Sequence, residues 1–227
     1  MTGKNIVLDI DATLVHTHGD DDEFEKLNLF GNRKILNYRG RIYNMLLKDV
    51  THAPGTGEEM KLYGVYRPYL KEFIEFCFDY FDNVIVWSAG KRKYVEKMCE
   101  IMFTDSKKQP SIIYSYDQCL ITGDKITKPL VKLYEDKRLK GVNQKNTFVL
   151  DDREDTFSSN HNNGILIPEY IAELTHAGIK RKDECLLKLM SWLVIYKDTN
   201  DVRILNKKNI FTTSNDEYTK QMKQMKK

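Results

Sequence analysis

The stretch NIVLDIDATLVH, residues 5 to 16, restricts the possible folds more than any other part of the chain. Its apolar run at residues 6–8 is typical of a strand that is buried on both faces. The run stops at Asp9, and a second carboxylate follows at Asp11. Two explanations fit this pair on its own: the carboxylates cap the next turn, or they belong to a site at the end of the strand.

Short apolar runs alternate with amphipathic helical patterns through most of the chain. Further buried strands are predicted from apolar runs at residues 83–87, 111–114, 147–150 and 164–167. Helices are predicted from three- and four-residue apolar spacing at residues 68–78, 91–103, 129–138 and 183–196. Strands that alternate with helices form βαβ units, so the chain is predicted to be an α/β protein with a central parallel sheet.

Three candidate strands interrupt this alternation between the first buried strand and the first helix. They span residues 34–38, 41–47 and 61–66. Together they predict a small antiparallel sheet, inserted at residues 34–66 of a single domain that spans residues 1–200. Residues 201–227 are expected to form an extension that ends in a polar, lysine-rich and flexible tail.

Polar residues stand directly after three of the predicted buried strands. Asp9 and Asp11 follow the first strand, Ser88 follows the second, and Asp151 and Asp152 follow the strand at residues 147–150. Right-handed crossovers place the carboxyl ends of parallel strands on one edge of a sheet, and ligands bind at that edge. These side chains are therefore predicted to converge in space.

Four carboxylates at one edge predict a specific chemistry. They repel one another, so the cluster needs a cation or a bound proton near neutral pH, and oxygen ligands suit Mg²⁺. Lys128, where a loop enters a helix, would balance phosphate charge. The Ser88 hydroxyl and the backbone N–H groups of the next turn, beginning at Ala89, would bind phosphate oxygens. One carboxylate can attack phosphorus while a second transfers the proton.

Composition argues against several other classes of protein. The net charge is +3 and the basic residues form no concentrated stripe, so there is no strong nucleic-acid signal. The four cysteines form no C-x-x-C pair, which argues against a zinc site and a disulfide framework. No N-terminal apolar region is seen, and no window approaches the ~18 apolar residues of a membrane span. We expect a soluble intracellular protein of the nucleus or cytoplasm, without a membrane partner.

The segment DIDAT at residues 9–13 resembles the D-x-D-x-T signature of haloacid-dehalogenase-type phosphatases. More closely, LDIDATLVH is similar to the start of the FCP/SCP-like group (NLI-interacting-factor-like), which acts on the C-terminal domain of RNA polymerase II. Later blocks of that group follow in order as YRPYLKEFIEF, VIVWSAGKRKYVEKM, TKPL and FVLDDREDTFSSNHNNGILI. The resemblance covers roughly residues 4–197. It implies a Rossmannoid three-layer sandwich with a small inserted antiparallel sheet.

The resemblance also implies a role for each matched residue. Asp9 would be the nucleophile and a Mg²⁺ ligand. Asp11 would be the general acid and base, with its backbone carbonyl on the metal. Lys128 would neutralise the nucleophile and the phosphate, and Ser88 would contact the phosphoryl group. Thr13 would support the turn between the two aspartates.

Two further residues have implied roles, and two positions depart from the family pattern. Asp152 would be the third protein ligand to Mg²⁺, and Asp151 would bond Lys128 or a metal-bound water. Ala12 stands where the family commonly has glutamate, a residue without an assigned chemical role. Residues 121–124 occupy the stretch where the small branch often has an arginine, which puts preference for one particular phosphoserine in question.

The predicted function is Mg²⁺-dependent hydrolysis of phosphomonoesters through an aspartyl-phosphate. A phosphoserine or phosphothreonine protein is the leading substrate, and the resemblance implies the C-terminal domain of RNA polymerase II as a partner. Two alternatives stay open: the same core could act on a small metabolite or a nucleic-acid phosphate, or the fold could be a scaffold without turnover. The complete set of Asp9, Asp11, Lys128 and Asp152 argues against the scaffold.

Overall fold

Five parallel strands form the centre of the molecule. The structure, a computed structural model, describes residues 2–19, 40–49, 55, 57–173 and 175–225. Its strands are β1 (Asn5–Leu8), β2 (Val15–His18), β3 (Ile42–Lys48), β4 (Glu59–Tyr66), β5 (Asn83–Trp87), β6 (Ile112–Tyr114), β7 (Leu120–Thr122), β8 (Lys125–Thr127), β9 (Thr147–Asp151) and β10 (Gly164–Leu166). Its helices are α1 (Leu70–Tyr80), α2 (Arg92–Met102), α3 (Val131–Tyr134), α4 (His176–Lys180), α5 (Cys185–Ile195) and α6 (Asn215–Met225).

The central sheet has the strand order β10-β9-β1-β5-β6, and every neighbouring pair in it is parallel. This confirms the predicted α/β fold with a central parallel sheet. All four residues of β1 are buried, as expected of a strand with neighbours on both sides and cover on both faces. Leu8 packs in a cluster with α1, α2 and α5, whereas Val7 packs in a second cluster with α3. Only the ends of the strands are therefore free to build a site.

The inserted sheet has three antiparallel strands in the order β2-β4-β3. The predicted strands at residues 41–47 and 61–66 are confirmed as β3 and β4. The predicted strand at residues 34–38 lies outside the described residues. Strand β2 was not predicted, because it is short and only Val15 of its four residues is fully buried. Its position means that the inserted sheet begins within a few residues of Asp11.

Two local features between residues 120 and 138 differ from the prediction. The predicted helix is reduced to the single turn α3, because the Asp136 carboxylate accepts a hydrogen bond from the Arg138 N–H at 2.9 Å. Such an Asx turn offers the backbone an alternative to the helix. Before α3, strands β7 and β8 form a hairpin that the sequence analysis did not predict. This hairpin ends at Thr127, directly before Lys128.

The C-terminal extension contains a helix where the sequence analysis expected a flexible tail. Helix α6 packs against α5. Tyr218 anchors α6, since its side chain is buried and its hydroxyl donates to the Ile210 carbonyl at 2.7 Å. A single aromatic anchor in a polar segment does not produce an apolar period that a sequence pattern can detect.

No helix in the part of the chain that the structure describes combines the length and the apolar character needed to cross a bilayer.

Arg67, directly after β4, joins four segments of the chain. Its side chain is buried, and its guanidinium donates to the carbonyl oxygens of Thr13 at 2.9 Å and Pro168 at 2.8 Å. It also pairs with Asp183, with 2.9 Å between Nη2 and Oδ2. The inserted sheet is thereby fixed to the loop after β1 and to the segment before α5.

Replacing Arg67 with alanine is expected to lower the free energy of unfolding by about 3 kcal/mol or more, because removing one partner of a buried ion pair leaves polar groups unpaired. Urea denaturation would measure this loss. The matched control is Arg92→Ala, which removes a solvent-exposed ion pair with Glu96 and should change the free energy of unfolding little. Equal losses in the two variants would contradict the role assigned to Arg67.

Candidate active site

The chain turns sharply just after β1. Asp9 continues the sheet, since its N–H donates to a carbonyl of β9 at 3.0 Å. The N–H groups of Leu14 and Val15 then donate to the Ile10 carbonyl at 2.8 and 3.1 Å. Ala12 has a φ of 58°, in the left-handed region that alanine seldom adopts. This tight turn brings β2, and with it the inserted sheet, to the end of β1.

A buried lysine lies between two of the predicted carboxylates. Lys128 Nζ is 2.5 Å from Asp9 Oδ1 and 2.6 Å from Asp151 Oδ2, and all three residues are buried. The β7-β8 hairpin leads directly into Lys128, whose N–H donates to the Thr156 carbonyl at 2.6 Å. The structure therefore brings together residues that are far apart in the sequence.

Burial and neighbouring charges both shift the pKa values of this cluster. Burial raises the pKa of Asp9 to about 8; Asp151 adds to the rise and Lys128 opposes it. Burial disfavours the charged form of Lys128, but the two carboxylates outweigh it and raise the pKa of that ammonium above its ordinary value. The lysine is therefore a fixed positive charge beside more than one carboxylate.

A third carboxylate, that of Asp152, faces the same space. One oxygen from each of Asp9, Asp151 and Asp152 lies within 4.8 Å of the others. Thr13 orients Asp152: its hydroxyl donates to Asp152 Oδ1 and accepts from the Asp152 N–H, both at 3.0 Å. Burial raises the pKa of Asp152. An all-oxygen group of this kind could hold a hard divalent cation such as Mg²⁺.

The carboxylate of Asp11 stands apart from that group. Its Oδ1 accepts hydrogen bonds from the hydroxyls of Thr17, at 2.8 Å, and Tyr94. Burial raises the pKa of Asp11, while the bonds from Tyr94 and Thr17 oppose the rise. The backbone carbonyl of Asp11, not its carboxylate, is the metal ligand that the family resemblance implies, and that ligand stays a prediction.

Ser88 follows β5, next to the strand that Asp9 follows. Its side chain is buried, and its Oγ accepts a hydrogen bond from the Gly90 N–H at 3.0 Å. That bond leaves the hydroxyl proton of Ser88 to donate elsewhere. Ala89 lies half-buried at the same edge of the sheet. A contact of Ser88 and Ala89 with phosphate stays a prediction.

Three hydroxyl groups around Asp11 were not predicted from the sequence. Thr17 lies outside the elements predicted from the sequence, and Tyr43 and Tyr94 were assigned only to a strand and a helix. In the structure Thr17 Oγ1 is 2.7 Å from the hydroxyl oxygens of both Tyr43 and Tyr94. A tyrosine at a helical apolar position gives the same sequence signal whether its hydroxyl binds a catalytic acid or not, so only the tertiary structure reveals this group.

Replacing Lys128 with methionine in metal-free protein is expected to lower the free energy of unfolding by about 3 kcal/mol or more at pH 8, because Asp9 and Asp151 lose their shared cation. The loss should be smaller at pH 5. Lys128 opposes the rise in the pKa of Asp9, so removing it raises that pKa further. The folded variant then keeps a proton that the wild type loses as pH rises, and its deficit in stability grows with pH. Urea denaturation with a chelator at both pH values measures this.

The matched control is Lys125→Met, which removes an exposed lysine three residues away and should change stability little at either pH. If Lys128→Met lost the same free energy of unfolding at pH 5 and at pH 8, the electrostatic interpretation of the cluster would be contradicted.

Residues 4–203 match the family described as NLI interacting factor-like phosphatase. The ubiquitin-like domain-containing CTD phosphatase 1 of Xenopus tropicalis is 26% identical over 223 residues, covering 88% of this chain and 65% of that protein. The Danio rerio protein of the same name is 30% identical over 170 residues, covering 72% and 50%. A CTD phosphatase-like protein of invertebrate iridescent virus 6 is 26% identical over 163 residues, covering 69% and 80%. This chain thus spans less than two thirds of the first two proteins.

Two solved structures share the fold. The structure of Fcp1, an essential RNA polymerase II CTD phosphatase, matches with a TM-score of 0.57 and 21% identity, covering 74% of this chain and 42% of that chain. The fission yeast Fcp1 bound to beryllium fluoride matches with a TM-score of 0.57 and 19% identity, covering 84% and 50%. These likenesses confirm the predicted haloacid-dehalogenase-like fold. With a family match that includes every candidate site residue, the chain belongs to the NLI interacting factor-like phosphatases.

Proposed function

We propose that this chain hydrolyses phosphomonoesters in a Mg²⁺-dependent reaction with an aspartyl-phosphate intermediate at Asp9. The observation that carries the proposal is the buried contact of Lys128 with Asp9 and Asp151, beside the carboxylate of Asp152. One ammonium cannot neutralise three carboxylates, so this group is poorly suited to a purely structural ion pair. With all three carboxylates ionised the group would carry excess negative charge, which a cation taken up together with a phosphorylated substrate would offset.

Asp9 is the proposed nucleophile. One of its carboxylate oxygens bonds to phosphorus while the bond from phosphorus to the leaving alcohol oxygen breaks. Lys128 keeps a positive charge beside this carboxylate and the incoming phosphoryl group. Asp151 holds the lysine in place at 2.6 Å and is itself fixed by the Arg153 N–H, which donates to its Oδ1 at 2.9 Å.

The residues present fit a magnesium ion. Carboxylate oxygens lie within 4.8 Å of one another, and oxygen is the ligand that Mg²⁺ prefers. Asp9 and Asp152 are the proposed side-chain ligands, because both oxygens of Asp151 already accept hydrogen bonds, from Lys128 and from the Arg153 N–H. The Asp11 backbone carbonyl is the proposed third ligand. When bound, the ion would supply positive charge that offsets the negative charge of the phosphoryl oxygens.

Asp11 is the proposed general acid and base. It gives a proton to the leaving alcohol oxygen in the first step, and it takes a proton from the attacking water when the aspartyl-phosphate is hydrolysed. Burial raises the pKa of Asp11, which favours the protonated form that the first step needs. The Ser88 hydroxyl and the Ala89 N–H are proposed to donate hydrogen bonds to phosphoryl oxygens.

The proposed substrate is a phosphoserine or phosphothreonine residue of a protein. The support comes from the relatives, which are named as CTD phosphatases, and from the shared fold with an RNA polymerase II CTD phosphatase. A phosphorylated segment like the C-terminal domain of RNA polymerase II is therefore the first partner to test. Asp152 is only half-buried, so the site opens to solvent and a phosphate attached to a polypeptide can approach it.

The intact protein with Mg²⁺ is expected to release phosphate from a serine phosphopeptide and from an aryl phosphate. A chelator should stop the reaction and added Mg²⁺ should restore it. Asp9→Asn should reduce release to background, because an amide is a poor nucleophile. Asp11→Asn should slow the phosphopeptide reaction by about 10²–10⁴-fold, the usual contribution of a general acid. A phosphate-release assay measures all of these rates.

The matched control is Asp79→Asn on α1, whose side chain is 83% exposed, and it should retain wild-type activity. A panel of phosphopeptides, nucleotides and sugar phosphates separates the substrate classes. Turnover of nucleotides or sugar phosphates alone would count against a protein substrate. No turnover of any of them would refute the proposed enzyme and favour a scaffold of the same fold.

A further inference from the structure

Two hydroxyl groups contact one oxygen of Asp11, and a third contacts one of those two. Thr17 Oγ1 donates to Asp11 Oδ1 at 2.8 Å, and the hydroxyl of Tyr94 donates to the same oxygen. The hydroxyl of Tyr43 lies 2.7 Å from Thr17 Oγ1. The three residues come from β2, α2 and β3, which are separate elements of the fold. The steps of the proposed reaction do not use any of these hydroxyls directly, so their convergence needs its own explanation.

An ionised Asp11 determines which way the neighbouring hydroxyl groups donate. A carboxylate only accepts, so Thr17 and Tyr94 each donate their single hydroxyl proton to Oδ1. Thr17 then has no separate proton for either tyrosine. Tyr43 donates to Thr17 Oγ1, and at the 2.7 Å contact between the Thr17 and Tyr94 hydroxyls one of the two protons directed at Oδ1 is shared. Among the residues that the structure describes, none donates a hydrogen bond to Asp11 Oδ2. The group therefore fixes one carboxylate oxygen and leaves the hydrogen-bonding capacity of the other unused within the described residues.

A glycine in the inserted sheet lets Tyr43 reach this group. Gly64 on the central strand β4 is paired with Tyr43 of β3 on one side and with Thr17 of β2 on the other. A Cβ at Gly64 would lie 2.2 Å from the Tyr43 ring and hydroxyl, well inside contact distance. The ring can therefore cross the central strand only because residue 64 has no side chain.

We infer that Thr17, Tyr43 and Tyr94 are positioning residues that hold Asp11 Oδ1 and direct Oδ2 to the reacting atoms. The proton on Oδ2 passes to the leaving alcohol oxygen as its bond to phosphorus breaks, and Oδ2 regains a proton from the attacking water. This inference rests on the proposed function, because it takes Asp11 as the general acid and base. In this arrangement the inserted sheet contributes to the reaction, because its residues Thr17 and Tyr43 align the carboxyl group of Asp11.

The test is the leaving-group dependence of kcat/KM in a series of aryl phosphates whose phenols have graded acidity. A poor leaving group needs the proton from Asp11, whereas a good leaving group departs without it. Tyr43→Phe, Tyr94→Phe and Thr17→Val should each lose about tenfold in kcat/KM with the poorest leaving group and about twofold or less with the best. A plot of log kcat/KM against phenol pKa should therefore be steeper in these variants than in the wild type.

The matched control is Tyr66→Phe. The Tyr66 ring packs on Tyr43 with 4.8 Å between centroids, but its hydroxyl forms no hydrogen bond with a described residue. This variant should keep the wild-type slope, and urea denaturation should show that all four variants are folded. Wild-type slopes in the hydroxyl-deletion variants, or an equal loss across the series, would overturn the positioning role.

The Asp11→Asn variant distinguishes failure of this inference from failure of the proposed function. It should show the steepest dependence on the leaving group, because it has lost the acid itself. A wild-type slope in Asp11→Asn would refute the role of Asp11 as the acid. A steep slope there, with wild-type slopes in the three hydroxyl variants, would refute the positioning role alone.

Discussion

The contact of one buried lysine with two buried carboxylates is the interaction on which the rest of the site depends. Strands β1 and β9 are neighbours in parallel register, with Leu8 opposite Leu150, so Asp9 and Asp151 must end side by side. Two carboxylates at that depth repel each other and lose hydration, and a shared cation is the least costly remedy. The β7-β8 hairpin supplies it by ending at Lys128. The sheet pairing that buries β1 therefore also creates the charge cluster that phosphoryl chemistry can use.

The two aspartates of the D-x-D segment have different kinds of partner, although only one residue separates them. Asp9 contacts a fixed ammonium, whereas Asp11 contacts neutral hydroxyl groups. A nearby cation favours the ionised form that a nucleophile needs. Neutral donors orient a carboxyl group without adding a permanent charge, which suits a group that must carry and release a proton. Pairs of carboxyl groups with different environments commonly divide the acid and nucleophile roles in this way.

The central sheet and the polar residues at its strand ends could be predicted from the sequence, because apolar runs and the polar residues that end them are local features. The sequence was insufficient where a role depends on contacts between distant elements. Thr17 lies in a strand with one fully buried residue, so neither the strand nor its hydroxyl contact was predicted. Helix α3 was predicted too long because the Asp136 turn competes with the helical pattern. Helix α6 was missed because Tyr218 is its one deeply buried anchor.

The inserted sheet supports both sides of the D-x-D turn from its central strand. Within β4, Gly64 admits the Tyr43 ring to Thr17, which binds the carboxylate of Asp11. Directly after β4, Arg67 donates to the Thr13 carbonyl, and the Thr13 side chain orients Asp152. One rigid strand thus fixes the proton-transfer side of the site and the cation-binding side relative to each other. Because antiparallel pairing sets the register of β4 against both of its neighbours, a shift of the inserted sheet would disturb both sides together.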